Sequence, residues 1–267
     1  MKKARIIDEL LASQLFGEHL SLEPIKGGVV NLSYRLATQS GVYFLKTFEL
    51  NHITPTDRQA LFFQQQQLSE LGITSMPIYL SKAHDFQVES WVEHISLLKV
   101  NKPQNDKIQI LAKVLSEIHA LPTLATSIDL PKDWIIYLKA ATVSDVDYWQ
   151  QRIIDCKPSW IETHKSDQVL CHNDLAMEHV AMQEPAFVFD WEYASLGNRY
   201  FDLASCALIN NMDYHEMMTL QHSYAQFCEL SEHYVFEQFQ TQFPIVQLTY
   251  DLWKEAAKAI LLDDENS

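Results

Sequence analysis

The most informative part of the sequence is Leu170-Cys171-His172-Asn173-Asp174-Leu175, followed further along by Phe189-Asp190-Trp191-Glu192-Tyr193. In the first stretch a histidine stands two residues before Asp174, directly after a short apolar run that predicts a strand. In the second stretch Asp190 ends another apolar run, sixteen residues after Asp174. A hairpin predicted over residues 180–189 therefore separates the two aspartates.

Two carboxylates about one hairpin apart suit phosphoryl transfer. One orients the substrate hydroxyl and accepts its proton, while the other holds Mg²⁺ on the phosphates. A His-x-Asp triplet alone occurs often by chance, but here it is paired with the strand-ending Asp190-Trp191-Glu192-Tyr193. Together the two stretches resemble the catalytic loop and the metal-binding motif of kinases.

The earlier part of the chain agrees with this interpretation. Gly27, Gly28 and Asn31 lie in a first predicted hairpin, where backbone N–H groups can cover phosphates. Lys46 falls on the next predicted strand, where a lysine can pair with the α- and β-phosphates. Taken alone, a tight turn and a surface lysine are the simpler explanations. The order of all four elements along the chain favours the kinase interpretation.

Hydrophobic periodicity predicts a small β-rich lobe at the beginning of the chain. It contains a helix over 4–16, a helix from Thr56 to Leu71, and strands over 24–36, 41–48, 76–80 and 86–92. Thr56 and Gln59 predict a capping box for the second helix, and Gly72 predicts its end.

After a linker at 99–105, the chain has mainly helical periodicity. Asn105 is expected to cap a helix whose apolar face includes Ile108 and Ile118, and further helices are predicted over 144–156, 158–165, 200–210, 213–229, 231–242 and 245–262. We therefore predict an α+β, protein-kinase-like fold of two lobes. Residues 1–98 form the nucleotide-binding lobe, and residues 99–267 form a helical lobe with the catalytic loop and substrate site. A cleft between the lobes is the default binding site.

Composition excludes several classes of protein. The 267 residues carry 20 Lys and Arg against 35 Asp and Glu, a net charge of −15, which disfavours nucleic acid as a partner. Four cysteines without a CxxC pair are too few for a disulfide framework and do not have zinc-site spacing. No apolar run is long enough for a membrane span, so we expect a soluble, cytoplasmic protein. Nothing in the sequence indicates an oligomeric state.

The negative charge is concentrated in the later part of the chain. Residues 1–100 have 9 basic and 10 acidic residues, net −1, whereas residues 101–267 have 11 and 25, net −14. Such a surface is either simply solvated or attracts a cationic small molecule.

These motifs resemble the aminoglycoside phosphotransferase and choline kinase superfamily, which has a protein-kinase-like fold. Further support comes from Leu111–Pro122 and from Asn198-Arg199-Tyr200-Phe201-Asp202-Leu203-Ala204, and the resemblance covers roughly residues 24–210. Asp190-Trp191-Glu192-Tyr193 with the downstream Phe201-Asp202-Leu203-Ala204 is most similar to the bacterial choline kinase and thiamine kinase branch.

The resemblance implies ATP and Mg²⁺ as cofactors, with Mn²⁺ possible, and it assigns roles to particular residues. Asp174 would be the catalytic base and Asp190 the metal ligand. Lys46 would hold the phosphates, Glu93 would belong to the hinge that meets adenine, and Asp202 would support the catalytic loop through His172. In choline kinases the acidic residue and the tyrosine after the metal-binding aspartate face the substrate, which implies Glu192 and Tyr193 here.

Tyr250 and Trp253 are three residues apart on a predicted helix and therefore share a face. They are either ordinary core residues or the aromatic wall of a pocket for a quaternary ammonium group, which aromatic faces attract through cation–π interaction.

The sequence departs from the family pattern at two positions. Five residues after the catalytic aspartate the family has an asparagine that binds metal, whereas this chain has His179. Imidazole suits Mn²⁺ or Zn²⁺ better than Mg²⁺, and His179 is either a metal ligand or a neutral spectator. Near Leu61, where a glutamate that pairs with Lys46 is expected, the chain has no acidic residue.

Two functions remain open from the sequence. The first is an ATP-dependent kinase acting on a small cationic alcohol such as choline, ethanolamine or thiamine, or on an aminoglycoside, which fits the Glu-Tyr detail less well. The second is a degenerate protein of the same fold that binds nucleotide or ligand without efficient turnover.

Overall fold

The computed structural model describes residues 2–25, 31–51, 53–54, 56–123, 125–163, 165, 167–183 and 185–265. The predicted phosphate-covering Gly27 and Gly28 lie outside these residues. Contacts within the chain divide it into two units, Met1–Glu93 and His94–Ser267. The assignment of nucleotide binding to residues 1–98 and of catalysis to residues 99–267 stays a prediction.

The first unit is built on a five-stranded antiparallel sheet with strand order β1-β2-β3-β5-β4. Its elements in chain order are α1 (Lys2–Ser13), β1 (Ser21–Ile25), β2 (Ser33–Ala37), β3 (Val42–Thr47), α2 (Arg58–Glu70), β4 (Pro77–Leu80) and β5 (Phe86–Ser90). The strand predicted over 24–36 is wrong as one element, because β1 and β2 are separate antiparallel strands.

One face of this sheet is buried beneath α1. Phe86 and Val88 alternate along β5 and are fully buried, as the two-residue period of a strand requires. They form one apolar cluster with Ile6 and Leu10 of α1 and with Leu36 and Leu45 of the neighbouring strands. Burial of this cluster fixes the register of the central strands.

The predicted capping box at Thr56 is wrong, because α2 begins two residues later. Its N-cap is Asp57, whose carboxylate accepts a hydrogen bond of 3.0 Å from the backbone N–H of Ala60. A carboxylate at this position also interacts favourably with the positive end of the helix. The predicted stop is confirmed, since Gly72 has a φ of +77° directly after the last turn, a conformation that glycine adopts without strain.

The second unit contains six helices and two short antiparallel strand pairs among its described residues. Its elements are α3 (Gln104–His119), α4 (Leu130–Ala140), α5 (Val146–Thr163), β6 (Gln168–Cys171), β7 (Val180–Ala181), β8 (Phe187–Val188), β9 (Ser195–Asn198), α6 (Arg199–Ile209), α7 (Tyr214–Phe227) and α8 (Glu232–Glu265), with 3-10 turns at Met177–His179 and Trp191–Tyr193. The predicted α+β class is confirmed, and none of the described helices has the length and apolar character that a membrane crossing requires.

Two predicted helix breaks are wrong. The predicted helices 144–156 and 158–165 form the single helix α5 with Pro158 inside it, and the predicted helices 231–242 and 245–262 form α8 with Pro244 inside it. A proline removes one backbone hydrogen bond from a helix. Here the helices continue because tertiary packing holds the turns on both sides, with α8 lying against α4, α5 and α6.

The predicted start of α3 is wrong, and no helix was predicted where α4 lies. Asn105 is not a cap, because α3 begins at Gln104 after Pro103 and has no side-chain cap. Helix α4 was not predicted, although Asp129 caps it and Leu130, Trp134 and Tyr137 form a buried stripe at helical spacing. The predicted apolar face of α3 is confirmed, with Ile108, Leu111, Ala112, Leu115 and Ile118 all buried.

The two strand pairs position the aspartate-bearing loops. Strand β6 pairs antiparallel with β9, so that Cys171 lies opposite Ser195, and the stretch that contains Asp174 follows directly. Strands β7 and β8 form the predicted hairpin, and Asp190 follows it. Asn198 caps α6 by accepting hydrogen bonds from the backbone N–H groups of Tyr200 and Phe201, which brings the first turn of α6 beneath the same loop.

Candidate active site

His172 connects the two predicted loops. Its Nδ1 accepts a hydrogen bond from the backbone N–H of Asp174 at 3.2 Å, and its Nε2 donates to the carbonyl oxygen of Phe189 at 2.9 Å. One nitrogen accepts and the other donates, so the ring is neutral. Burial, with the nearby His179 ring as a smaller contribution, lowers the pKa of His172 to about 4. The ring therefore fixes the Asp174 loop to the end of β8.

Asp202 holds the same loop from below. Its carboxylate accepts from the backbone N–H groups of His172 and Asn173, each at 2.7 Å, and from His119 Nε2 at 3.1 Å. Burial alone would raise the pKa of Asp202, but the hydrogen bond from His119 and the neighbouring imidazoles outweigh it and lower the pKa. The contact to His172 is thus made through the backbone rather than through the ring.

His119 and Tyr224 extend this support and were not predicted as site residues. His119 Nδ1 and the Tyr224 hydroxyl form a hydrogen bond of 2.6 Å, in which the hydroxyl donates when the ring is neutral and its Nε2 donates to Asp202. Both side chains are buried. We call His119, Asp202 and Tyr224 the loop anchor. The available signal was His119 itself, which lies in the Leu111–Pro122 motif, whereas nothing in the sequence marks Tyr224.

Two residues of the site have left-handed backbone conformations. Asn173 has a φ of +63° and Asp190 a φ of +66°, values that are uncommon outside glycine and that asparagine and aspartate tolerate best. The side-chain amide of Asn173 donates to the Tyr193 carbonyl at 2.8 Å and to Ser195 Oγ at 2.9 Å. These contacts tie the Asp174 loop to the Trp191–Tyr193 turn and hold its unusual backbone in place.

Asp174, His179 and Asp190 form a candidate metal cluster. One potential ligand atom from each lies within 4.8 Å of the others, and all three side chains are partly exposed. His179 Nε2 is 3.6 Å from Asp190 Oδ2, and His179 Nδ1 is 4.0 Å from Asp174 Oδ2. Two carboxylates and an imidazole are a chemically reasonable donor set for a divalent cation, and the imidazole fits Mn²⁺ better than Mg²⁺.

The residues predicted to face the substrate also lie together. The rings of Tyr193 and Trp253 meet edge to face with centroids 6.5 Å apart, and Tyr250 stacks on Trp253 at 6.4 Å. Burial raises the pKa of Tyr193 well above its usual value, with further contributions from the negative charges of Glu192 and Asp174. Tyr193 therefore stays a neutral phenol beside two carboxylates, in contact with the aromatic face of α8.

The predicted nucleotide-binding residues of the first unit occupy defined positions. Lys46 is buried on β3, opposite Gln87 of β5. The Asn31 side chain accepts a hydrogen bond of 3.0 Å from the backbone N–H of Glu49, and Glu93 accepts one of 2.7 Å from the Trp91 indole.

Helix α2 lacks the glutamate that the family pattern leads one to expect. Its buried residues are Arg58, Leu61, Gln64, Gln65 and Leu68, none of which is acidic. Gln65 instead accepts a hydrogen bond of 2.8 Å from Gln87, the residue opposite Lys46 in the sheet. The same Gln87 amide donates to Glu89 Oε1 at 2.9 Å, so the carboxylate of this network comes from β5 and not from α2.

Comparison with known proteins gives a consistent result. The sequence model of the phosphotransferase enzyme family matches residues 21–227, while no sequence match was found among curated proteins. LicA in complex with AMP is similar in structure, with a TM-score of 0.71, 18% identity, and coverage of 96% of this chain and 97% of that one. Choline kinase LicA from Streptococcus pneumoniae has a TM-score of 0.69 and 18% identity, with coverage of 98% and 99%.

Two further structures widen the range of similar proteins. An ethanolamine kinase from Plasmodium vivax has a TM-score of 0.67 and 14% identity, with coverage of 91% of this chain and 82% of that one. The GDP complex of aminoglycoside 2'-phosphotransferase-IIIa has a TM-score of 0.61 and 15% identity, with coverage of 100% and 99%. These likenesses confirm the predicted protein-kinase-like fold, and the match of the family sequence model confirms the resemblance to the phosphotransferase family.

Proposed function

The chain belongs to the phosphotransferase enzyme family, and we propose that it transfers the γ-phosphoryl group of ATP to the hydroxyl of a small cationic alcohol such as choline, ethanolamine or thiamine. The observation that carries this proposal is that a cluster of potential metal ligands lies directly beside a carboxylate and an aromatic ring. Asp174, His179 and Asp190 cluster together, and Glu192 and Tyr193 follow directly, with Tyr193 against Trp253.

In this proposal Asp174 orients the acceptor hydroxyl and takes its proton as the oxygen attacks the γ-phosphorus, the bond from that phosphorus to the β,γ-bridging oxygen breaks, and ADP leaves. The loop anchor and the neutral His172 ring hold Asp174 in position throughout. Asp190 and His179 are the proposed ligands of a divalent cation, which when bound neutralises charge on the phosphate oxygens. Lys46 is the proposed partner of the α- and β-phosphates, with Gly27, Gly28 and Asn31 covering them and Glu93 in the hinge near adenine.

Specificity for a cation is supported by charge and by aromatic surface. Glu192 supplies a carboxylate beside Tyr193, and Tyr250 and Trp253 add ring faces. A quaternary ammonium gains about 1–2 kcal/mol from each well-placed ring. The net charge of −14 over residues 101–267 attracts such a molecule over a longer range. A reaction that consumes ATP is expected in the cytoplasm.

Two alternatives have specific observations in their favour. Two departures favour a protein that binds nucleotide or ligand without efficient turnover. His179 replaces the family's asparagine, and the buried face of α2 has no acidic residue. The acidic later part of the chain and the similarity to an aminoglycoside phosphotransferase favour an aminoglycoside as acceptor. Both alternatives rank below the first proposal, because the Asp190-Trp191-Glu192-Tyr193 motif is most similar to that of the choline kinase and thiamine kinase branch.

The test is a coupled ATP-consumption assay with choline, ethanolamine, thiamine and one aminoglycoside, run in parallel with Mg²⁺ and Mn²⁺. We expect turnover on one cationic alcohol, lowered by roughly 10²–10⁴-fold in Asp174→Asn. Silence on all four acceptors, together with ATP-induced stabilisation against unfolding, would favour the non-catalytic binder.

A second variant tests the acceptor site separately. Glu192→Gln should raise the KM for the alcohol at least tenfold and leave the KM for ATP within twofold, because the charge is lost only where the cation binds. Asp251→Asn, which removes an exposed carboxylate paired with Arg152, is the matched control and should change neither. An unchanged KM for the alcohol in Glu192→Gln would remove this residue from the site.

A further inference from the structure

Resting on the proposed function for the place of the cation, we infer that His179 makes this site bind Mn²⁺ in preference to Mg²⁺. The inference concerns which metal His179 and Asp190 select, and it can hold or fail independently of whether an acceptor is phosphorylated.

The first step in the argument is the tautomer of His179. Its Nδ1 is 2.8 Å from the carbonyl oxygen of Asp174. A carbonyl oxygen can only accept a hydrogen bond, so Nδ1 carries the proton. In the neutral ring the lone pair is then on Nε2. A carbonyl that holds the other nitrogen is the usual means by which proteins orient a metal-binding histidine.

The second step is the distance from Nε2 to the neighbouring carboxylate. Nε2 lies 3.6 Å from Asp190 Oδ2, which is longer than a hydrogen bond between these atoms. Metal–nitrogen and metal–oxygen bonds of about 2.1 Å place neighbouring ligand atoms roughly 3.0–3.4 Å apart. The observed separation is therefore close to that of two atoms sharing one cation, and a small inward movement closes the difference.

The third step is how firmly the ring is held. The backbone of His179 is fixed at both ends, since its N–H donates to the Ala176 carbonyl at 3.0 Å and its carbonyl accepts from Phe189 at 2.8 Å. The latter bond belongs to the same hairpin that delivers Asp190. His179 and Asp190 therefore lie at the two ends of one hairpin rather than on independent loops.

The fourth step is the chemistry of the donor. Mg²⁺ binds oxygen ligands almost exclusively in proteins and gives up its water reluctantly, whereas imidazole is a good ligand for first-row transition metals. A site in which an imidazole nitrogen joins the carboxylate of Asp190 as a protein ligand loses affinity for Mg²⁺ and keeps it for Mn²⁺. Later metals of the series, Zn²⁺ among them, bind such donors more tightly than Mn²⁺ does, so the inferred preference is the one between Mn²⁺ and Mg²⁺.

The experiment measures metal binding directly on the full-length chain, without acceptor and without a nitrogen-containing nucleotide. Inorganic tripolyphosphate supplies the phosphate oxygens. Mn²⁺ binding is followed by electron paramagnetic resonance, the coordinated nitrogen is detected by electron spin echo modulation, and Mg²⁺ affinity is obtained by competition. We compare the wild type with His179→Asn and with His233→Asn, whose side chain is 80% exposed and lies in the first turn of α8.

We expect nitrogen modulation from bound Mn²⁺ in the wild type and in His233→Asn, and its loss in His179→Asn. The ratio of Mg²⁺ to Mn²⁺ dissociation constants should fall at least tenfold in His179→Asn. Nitrogen modulation that persists in His179→Asn, or an unchanged ratio, would overturn the inference, as would the absence of Mn²⁺ binding by the wild type.

If His179→Asn does not fold, wild-type protein labelled with [¹⁵N]histidine decides the question. The modulation frequency should change with the isotope, and an unchanged frequency would exclude a histidine ligand. A protein that binds Mn²⁺ through His179 but phosphorylates none of the four acceptors would refute the proposed function while leaving this inference intact.

Discussion

The loop that carries Asp174 has two sides with opposite character. Beneath it, Asp202 is fully buried and accepts three N–H hydrogen bonds, so its charge is retained and its position is fixed. Above it, the side chains of Asp174 and Asp190 are 27% and 24% exposed, and the His179 nitrogens stand beyond hydrogen-bond distance from their carboxylates. The buried side determines where the loop lies, and the open side keeps ligand atoms available.

A fourth aspartate shows that burial alone does not decide whether a carboxylate keeps its charge. Asp133, in the first turn of α4, is less buried than Asp202, yet its pKa is raised to about 7, mainly by burial and further by Asp129. Asp202 is more deeply buried and has a lowered pKa because three donors surround it. The number of donors, rather than the depth, sets whether a buried carboxylate keeps its charge.

The largest expected effect is on the open side of the loop. Asp174→Asn should lower turnover by roughly 10²–10⁴-fold, because it removes the general base, while the free energy of unfolding stays within about 0.5 kcal/mol of the wild type. Turnover and urea unfolding are measured on the same samples. A variant that retained turnover would show that Asp174 is not the base.

Asp202→Asn should produce the opposite pattern on the buried side. It leaves the backbone N–H groups of His172 and Asn173 facing an amide that cannot accept from all three donors, and we expect a loss of roughly 3–5 kcal/mol of stability. Urea unfolding gives the magnitude. If stability were unchanged, the loop anchor would not hold the loop.

Tyr224→Phe should cost about 1–3 kcal/mol, since it leaves the buried His119 Nδ1 without its donor. The matched control is Tyr234→Phe, which removes an exposed hydroxyl that donates to Asp167 and should cost less than about 0.5 kcal/mol. Equal losses in both variants would contradict a special role for Tyr224. Both are measured by urea unfolding at the same pH.

The last effect concerns Asp133 and depends on pH. Because its pKa is higher in the fold than in the unfolded chain, the folded protein holds the extra proton between about pH 4 and 7. The contribution of Asp133 to the free energy of unfolding is therefore fully present below about pH 4 and is lost as the pH rises through about 7. Asp133→Asn should raise the melting temperature at pH 8 and change it little at pH 4, measured by calorimetry. A gain that is the same at both pH values would show that Asp133 is already ionised in the fold.

The sequence was sufficient wherever a motif combined a residue type with a fixed spacing. Asp174 and Asp190 were predicted one hairpin apart, and the structure places them in one cluster with His179. The aromatic pair on α8 could also be predicted to share a face, because helical spacing is read directly from residue numbers.

The parts that could not be predicted depend on tertiary contacts. Pro158 and Pro244 indicated helix ends, but packing continues both helices through them. The contact between His119 and Tyr224 joins residues 105 positions apart in the chain, and a single sequence contains no signal for such a pair. The contact of Tyr193 with Trp253 similarly required the path of α8 in three dimensions.

Helix α8 has a consequence for how such proteins diversify. Tyr250 and Trp253 lie on this 34-residue helix, whereas the groups proposed to react and to bind the cation lie on the loops after β6 and β8. Substitutions at positions 250 and 253 leave the hydrogen bonds of the loop anchor untouched. If Tyr250 and Trp253 contact the acceptor as proposed, acceptor preference can drift after gene duplication through changes on one helix, while the loops proposed to carry the chemistry are inherited unaltered.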